Sequence, residues 1–366
     1  MRRELQVLFI KRPLKNLKQV WAQSNARKYR FHGLMSTMTL KYASKLVVFS
    51  IVASLICPGS DCSAQSRGEA KSDTLSLCFL SDTQDPMTFE RVFLSYNNNA
   101  RARSLIFAEI VEGRPKSVVH LGDLVAIGSS GDSWKDVDRF VKTLHERQIE
   151  FSPIPGNHDY LMFSKKGVSH FSSRFLHARL SGYTRQYANV GIVLINSNFD
   201  ELSNDESDGQ LRWYRKTLAD YENNPSIDFV IVGSHHPPFT NSKIVAGSEE
   251  IRDRYLPEYY QSGKCRLFLS GHAHAFEHFR VNGKDFLVIG GSGGLQHPLR
   301  TGTEAEYHDL FSNSLEKRMF HFLTVESHDS TLTVEVRMLR SDFGGFDRLP
   351  QLKFVREKQK GEESRE

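Results

Sequence analysis

The sequence predicts an α/β layer structure. Short apolar runs of strand length alternate with segments of helical period through the middle of the chain. Five polar clusters fall just past the C-terminal ends of those runs, where open α/β sheets place their sites. The 366 residues suffice for one large or two ordinary domains. A composition of 39% hydrophobic and 25% charged residues fits a soluble globular protein.

Taken in order, Ser66 to Thr74 reads as a polar linker, and Leu75 to Ser81 as a first strand. Asn98 to Glu112 has helical period through Leu105, Ala108, Ile110 and Val111, with Gly113 near its stop. Lys116 to Leu121 is a strand. Trp134, Val137, Phe140, Val141 and Leu144 mark an amphipathic helix, and Ile149 to Ile154 is the next strand. Phe163 to Arg185 is polar and Ser-rich, a loop with a short helix that is placed to cover a site. Gly191 to Ser197 is a strand, Asn204 to Gly209 an acidic loop, and Gln210 to Tyr221 a helix with Leu211, Tyr214 and Leu218 on one face. Asp228 to Ser234, Arg266 to Ser270 and Phe286 to Ile289 are further strands. Phe320 to Ser327 and Thr331 to Leu339 form a hairpin around Asp329-Ser330, and residues 354–366 read as a frayed charged tail.

The beginning of the chain is of another kind. Of a net charge of +5, residues 1–64 carry +9 (eleven Lys/Arg against Glu4 and Asp61), which leaves −4 for the rest. A mildly acidic body offers no basic groove and argues against a long polyanionic partner, so no nucleic acid is expected. Lys41 and Lys45, the apolar run Leu46 to Cys57 and the small residues ending at Ala64 form a signal-peptide pattern over about 41–64. The run is too short for a comfortable membrane span. The chain is expected to be exported, periplasmic or secreted, with no stable span after cleavage. Residues 1–34 then read as an over-extended start or a long basic region. Cys78 and Cys265 lie inside apolar strands and are expected as buried free thiols.

The five clusters are Asp82-Thr83-Gln84, Gly122-Asp123, Gly156-Asn157-His158-Asp159, His235-His236-Pro237 and Gly271-His272-Ala273-His274. Each alone has an ordinary reading as a turn pair, a helix cap or a core histidine. Together they supply carboxylate, amide and imidazole without thiolate, a set suited to Mn, Fe or Zn. His272 and His274, two apart, would point the same way in extended chain. His158 can exchange a proton near neutral pH, and Asp159 stands where it would orient that imidazole.

In order and spacing the clusters resemble the calcineurin-like metallophosphoesterase superfamily, with its pattern D-x-[H/Q], GD, GNH[D/E], H and GHxH, over about Leu75 to Leu295. The resemblance implies a four-layer α/β/β/α sandwich over residues 75–340 and two divalent metal ions. It implies Asp82, Gln84 and His274 on one metal, Asn157, His235 and His272 on the other, and Asp123 bridging both. His158 would contact phosphate and leaving group, with Asp159 behind it, and His235 is preferred to His236 by alignment. Gly271 to Glu277 is similar to the purple acid phosphatase branch. That branch has Gly where Gln84 stands and a tyrosine where Ala126 stands, so no purple ferric site is implied. The expected reaction is hydrolysis of a phosphate ester by a metal-bridging hydroxide, first a phosphomonoester of small size. The alternatives are a phosphodiesterase acting on a cyclic nucleotide or lipid headgroup, and a non-catalytic binding protein on the same fold. His120 reads as a core histidine, while His278, His297 and His308 are candidates for the substrate side. Gly290 to Gly294 reads as a tight turn that lets the chain pass close to the site.

Overall fold

The computed structural model describes residues 74–88, 90–92, 94–311 and 320–356. The basic extension, the signal peptide, Cys57, Cys62 and residues 357–366 lie outside them.

The chain runs β1 (Leu75–Leu80), α1 (Asn99–Gly113), β2 (Ser117–Leu121), α2 (Lys135–Glu146), β3 (Glu150–Ile154), α3 (Ser164–Arg174), β4 (Tyr183–Tyr187) and β5 (Val190–Leu194). It continues through α4 (Asn204–Asn223), β6 (Phe229–Ser234), a π-helical turn Ile251–Tyr255 leading into α5 (Leu256–Gln261), β7 (Cys265–Ser270), β8 (Phe276–Val281) and β9 (Lys284–Ile289). It ends in β10 (His321–His328), β11 (Thr331–Leu339) and β12 (Phe346–Val355). One sheet has the order β12-β11-β10-β1-β2-β3 and the other β4-β5-β6-β7-β9-β8. Within them β1, β2 and β3 are parallel, as are β5, β6, β7 and β9. The remaining pairs are antiparallel, so both sheets are mixed.

Alternation along the second sheet shows why the strands read as continuous apolar runs. Ile192, Leu194, Phe229, Ile231, Leu267, Leu269, Leu287 and Ile289 join the core shared with the first sheet. Their neighbours Val193, Val230, Val232, Phe268, Phe286 and Val288 face a second core with Tyr214 and Leu218 of α4 and Tyr259 of α5. A strand buried on both faces has no polar side to show. Ala102, Ile106 and Ile110 of α1, with Val137, Phe140 and Leu144 of α2, belong to the first core at helical spacing. The result is the α/β sandwich of two helix-flanked sheets.

Three differences from the sequence-based expectation have clear causes. Asn204 to Gly209 is the first part of α4, not a loop. Ser203 Oγ accepts the Glu206 N–H, and Glu206 returns a carboxylate to the Ser203 N–H, a full capping box. β4, β8 and β12, three of the four edge strands, escape the sequence pattern because polar residues interrupt them, exposed in β4 and β12 and buried in β8 at Glu277 and His278. β12 also carries the sheet to Val355, past the boundary expected at residue 340 and into the stretch expected to be a frayed tail. Cys78 and Cys265 are free and buried, and burial pushes the Cys265 thiol up to about 12. Among the described residues no helix is long and apolar enough to cross a membrane.

Candidate metal centre

All five clusters lie at the C-terminal ends of parallel strands, and they converge on one edge of the sandwich. Asp82, Asp123 and Asn157 leave the first sheet after β1, β2 and β3. His235 leaves the second after β6, and His272 and His274 follow β7. Three of these residues turn the chain sharply: Asp82, Asp123 and His272 have φ of 60°, 56° and 65°. Non-glycine residues seldom hold that conformation, which costs roughly 1–2 kcal/mol each. The turn at His272 overturns the extended reading of Gly271 to His274. Two successive three-residue turns, Ala273 N–H to Gly271 O and Ala275 N–H to Ala273 O, bend the segment and send the two imidazoles to different places.

Backbone carbonyls fix the histidine tautomers. His235 Nδ1 lies 2.9 Å from Leu121 O, and His274 Nδ1 lies 2.7 Å from Leu295 O. A carbonyl only accepts, so each Nδ1 carries a proton, and it is Nε2 that turns inward with a lone pair whenever the ring is neutral. His235 Nε2 then meets Asn157 Oδ1 at 3.0 Å and Asp123 Oδ1 at 3.5 Å. Three lone-pair atoms facing one another repel unless a cation lies among them. The second group is similar: His274 Nε2 is 3.2 Å from Asp82 Oδ1, and the Gln84 amide is 3.2 Å from His274 Nε2 and 3.3 Å from the other Asp123 oxygen. Gln84 Oε1 is buried and unpartnered, and turning the amide over would bring it into this group. Asp123 thus gives one oxygen to each group, the arrangement of a bridging carboxylate.

Electrostatics agree. Burial, with the Asp82 charge beside it, pushes the Asp123 carboxyl up to about 7. Burial and the neighbouring imidazoles hold His235 and His272 well below the usual histidine value, so they stay neutral. Burial also pulls His274 down, but the Asp82 carboxylate outweighs it and lifts His274 to about 8. Buried carboxylates beside His235 and His272 as neutral imidazoles form a site whose chemistry fits divalent cations, which would take the place of the His274 proton.

His272 stands with its ring centroid 5.0 Å from that of His235 and 4.4 Å from that of His236. The ligand atoms of these three histidines lie within 4.8 Å of one another, as do those of Asp82, Asp123 and His235. His236, which the sequence pattern sets aside, is therefore part of the site. Its ring is steadied by Ser197 Oγ at 2.9 Å. Ser197 and its neighbour Asn198, which holds Pro155 O at 2.9 Å, also escape the sequence pattern. They too follow a strand, β5, and that position was the available signal.

Asp159 takes a different role from the one expected from sequence. Its carboxylate does not touch His158. It accepts the backbone N–H groups of Leu124, Val125 and Gly156 at 2.8–3.3 Å, because it is buried beneath two loops whose amides have no other partner. His158 is oriented instead by Ala126, whose carbonyl lies 3.0 Å from Nδ1, and its Nε2 faces the site 3.9 Å from Asp123 Oδ2. The position that lacks a tyrosine side chain acts through its backbone. Of the other histidines, His120 is a core residue as expected, bonded to Thr83 Oγ1. His278 is buried against Asp285, His308 is exposed, and His297 stacks on His274.

The glycine run permits this crowding. A Cβ on Gly290 would come 2.4 Å from Ala273 O, one on Gly293 3.1 Å from Thr83, and one on Gly294 2.5 Å from the His274 ring. None of its four glycines has a left-handed φ, so the requirement is close approach rather than a left-handed turn. Behind Thr83, buried Arg103 donates to Thr83 O at 2.9 Å and to Asp136 at 2.9 Å, which pins the Asp82–Gln84 loop to α2.

Residues 75–276 match the family model described as calcineurin-like phosphoesterase. A search of curated protein sequences found no match. Among solved structures, a purple acid phosphatase from yellow lupin seeds is similar, with TM-score 0.55 and 15% identity over 78% of this chain and 54% of that one. The chain thus spans about half the length of the lupin protein. GAP50, the anchor in the inner membrane complex of Plasmodium, has TM-score 0.53 and 14% identity, covering 78% and 90% of the two chains. A dimetal phosphatase from Danio rerio has TM-score 0.50 and 15% identity, covering 77% and 99%. These likenesses show the fold.

Proposed function

The chain belongs to the calcineurin-like phosphoesterase family, and from that premise we propose that it hydrolyses small phosphomonoesters at a dinuclear centre. The observation that carries the reading is the convergence of the His235 imidazole and the Gln84 amide on the two oxygens of Asp123, with His274 and Asp82 beside them. We assign Asp82, Gln84 and His274 to one cation, Asn157, His235 and His272 to the other, and Asp123 to both. Two divalent cations there would polarise the phosphoryl oxygens and lower the pKa of a water nucleophile.

The protein's own groups do the rest. Ala126 O keeps His158 Nδ1 protonated, so the proton His158 can give up or take faces the cleft on Nε2. As imidazolium it donates to the leaving oxygen, a role worth about 10²–10⁴-fold. Asp159, through three backbone amides, sets the height of the loop that carries Asp123. Asp82, Asp123 and His235 are buried at the floor of the cleft, while His158 and His272 are partly exposed above them.

Chromogenic monoester and diester hydrolysis, measured after chelation and return of Mn, Zn or Fe, tests this. Turnover should return with metal, favour the monoester, and fall at least about 10³-fold in Asp123→Asn. A diester preference would move the assignment to a phosphodiesterase. Two metals bound without turnover on either ester would make the fold a binding module. We also propose export through the segment at about 41–64, to be checked by sequencing the mature N-terminus.

A further inference from the structure

We propose that His297 binds substrate and selects monoesters over diesters, by donating its Nε2–H to a non-bridging phosphoryl oxygen. The inference rests on the phosphoesterase reading above.

Its basis is a reversed tautomer. His158, His235 and His274 each give Nδ1–H to a backbone carbonyl and present a lone pair at Nε2. His297 is held the other way round. Its Nδ1 faces the backbone N–H of His274 at 3.3 Å and Ser242 Oγ at 3.2 Å. An amide N–H can only donate, so Nδ1 accepts. Ser242 Oγ already accepts the N–H groups of Ile244 at 3.1 Å and Val245 at 3.3 Å. Its lone pairs are used, and its O–H is free to point at His297 Nδ1. The proton of the neutral ring is therefore on Nε2.

Placement makes that proton useful. The His297 ring lies on the His274 ring, with centroids 4.3 Å apart and planes 21° apart. Its backbone N–H is bonded to His274 O at 3.0 Å, so chain and ring are both fixed to the site. Nε2 makes no hydrogen bond among the described residues, and the ring is within electrostatic reach of His158 as well as His274. Asp82, Asp123, Asn157, His235 and His274 offer lone pairs and cannot themselves hold a phosphoryl oxygen. With His158 turned to the leaving group, His297 joins His236, whose Nδ1 faces the Ser197 hydroxyl, as a side-chain donor for a non-bridging oxygen. A monoester dianion has three such oxygens and a diester two, and the additional one is the most basic acceptor. A neutral N–H there rewards the monoester alone.

The test uses the full metal-loaded protein with a chromogenic monoester, a chromogenic diester and inorganic phosphate. His297→Asn keeps an acceptor near the position of Nδ1 but loses the reach of Nε2, and His297→Gln restores an N–H at that reach. The expected result for H297N is a loss of about 10–100-fold in monoester kcat/KM, as for a hydrogen bond to a charged group. The diester loss should be at least tenfold smaller. Inorganic phosphate, titrated by calorimetry, should weaken in parallel with the monoester, metal content should hold at two per chain, and H297Q should recover monoester turnover and phosphate affinity. Equal losses on both esters, an unchanged phosphate affinity or a loss of metal in H297N would overturn the proposal. Wild-type protein that turns over neither ester would instead overturn the phosphoesterase reading beneath it.

Discussion

His120 lies in β2, fully enclosed, with Nε2 2.9 Å from Thr83 Oγ1 and Nδ1 without a partner. Burial lowers its pKa to about 3, against about 6.5 in an unfolded chain. Between those values the unfolded chain takes up a proton and the folded one does not. Stability from this residue is complete above about pH 6.5 and is lost as the pH falls, with a limiting slope of about 1.4 kcal/mol per pH unit. Urea unfolding from pH 7 to 5 should show a shallower pH dependence in His120→Gln than in wild type. The sequence identifies His120 as core correctly, since a histidine inside an apolar strand has few other uses. It misleads at Asp159, because adjacency suggests a partnership with His158. The partner of a buried carboxylate is decided by which amides lack acceptors, and neighbours in sequence do not reveal that.

At the scale of elements, the strand exits carry most of the information. Polar residues at the ends of β1, β2, β3, β6 and β7 are legible because they interrupt apolar runs. The left-handed turns at Asp82, Asp123 and His272 are not, since Asp and His reach that conformation without the signature a glycine would leave. The start of α4 is legible in Ser203 and Glu206, but its acidic composition points to a loop. Two glycines give opposite predictions. Gly113 ends α1 with open space where a methyl group would sit, nothing lying within 4 Å, so Gly113→Ala should raise unfolding stability by about 0.5–1 kcal/mol. Gly294→Ala would press a methyl group onto the His274 ring at 2.5 Å. If His274 holds a cation as proposed, the variant should bind less metal, toward one per chain, as read by elemental analysis of the purified protein.

For the molecule as a whole, ligand ownership matters more than ligand identity. Asp82, Asp123 and Asn157 belong to one sheet, and His235, His272 and His274 to the other. Cations held among them would join the two sheets and stabilise only the folded state. At a free metal concentration a hundred times the dissociation constant, each ion should add about 2.7 kcal/mol. Thermal unfolding of the chelated protein should therefore begin lower and recover on adding Mn or Zn, while Asp123→Asn should show a much smaller recovery. The sandwich is legible because strand–helix alternation and site position follow from local pattern. Its edges β4 and β12 are hidden by their half-exposed faces, and β8 by the buried polar residues Glu277 and His278.

That division between sheets also sets a schedule. The Asp82 carboxylate receives the N–H of His272, a partner 190 residues further along the chain. At about 5–20 residues per second a ribosome needs on the order of 10–40 s to cover that interval. Throughout it, the carboxylates of the first half exist without the imidazoles that complete their site. The centre thus cannot form before β7 and the turn after it are made, with β8 to β12 still to come, and a cation captured there would report that β6 and β7 of the second sheet have arrived.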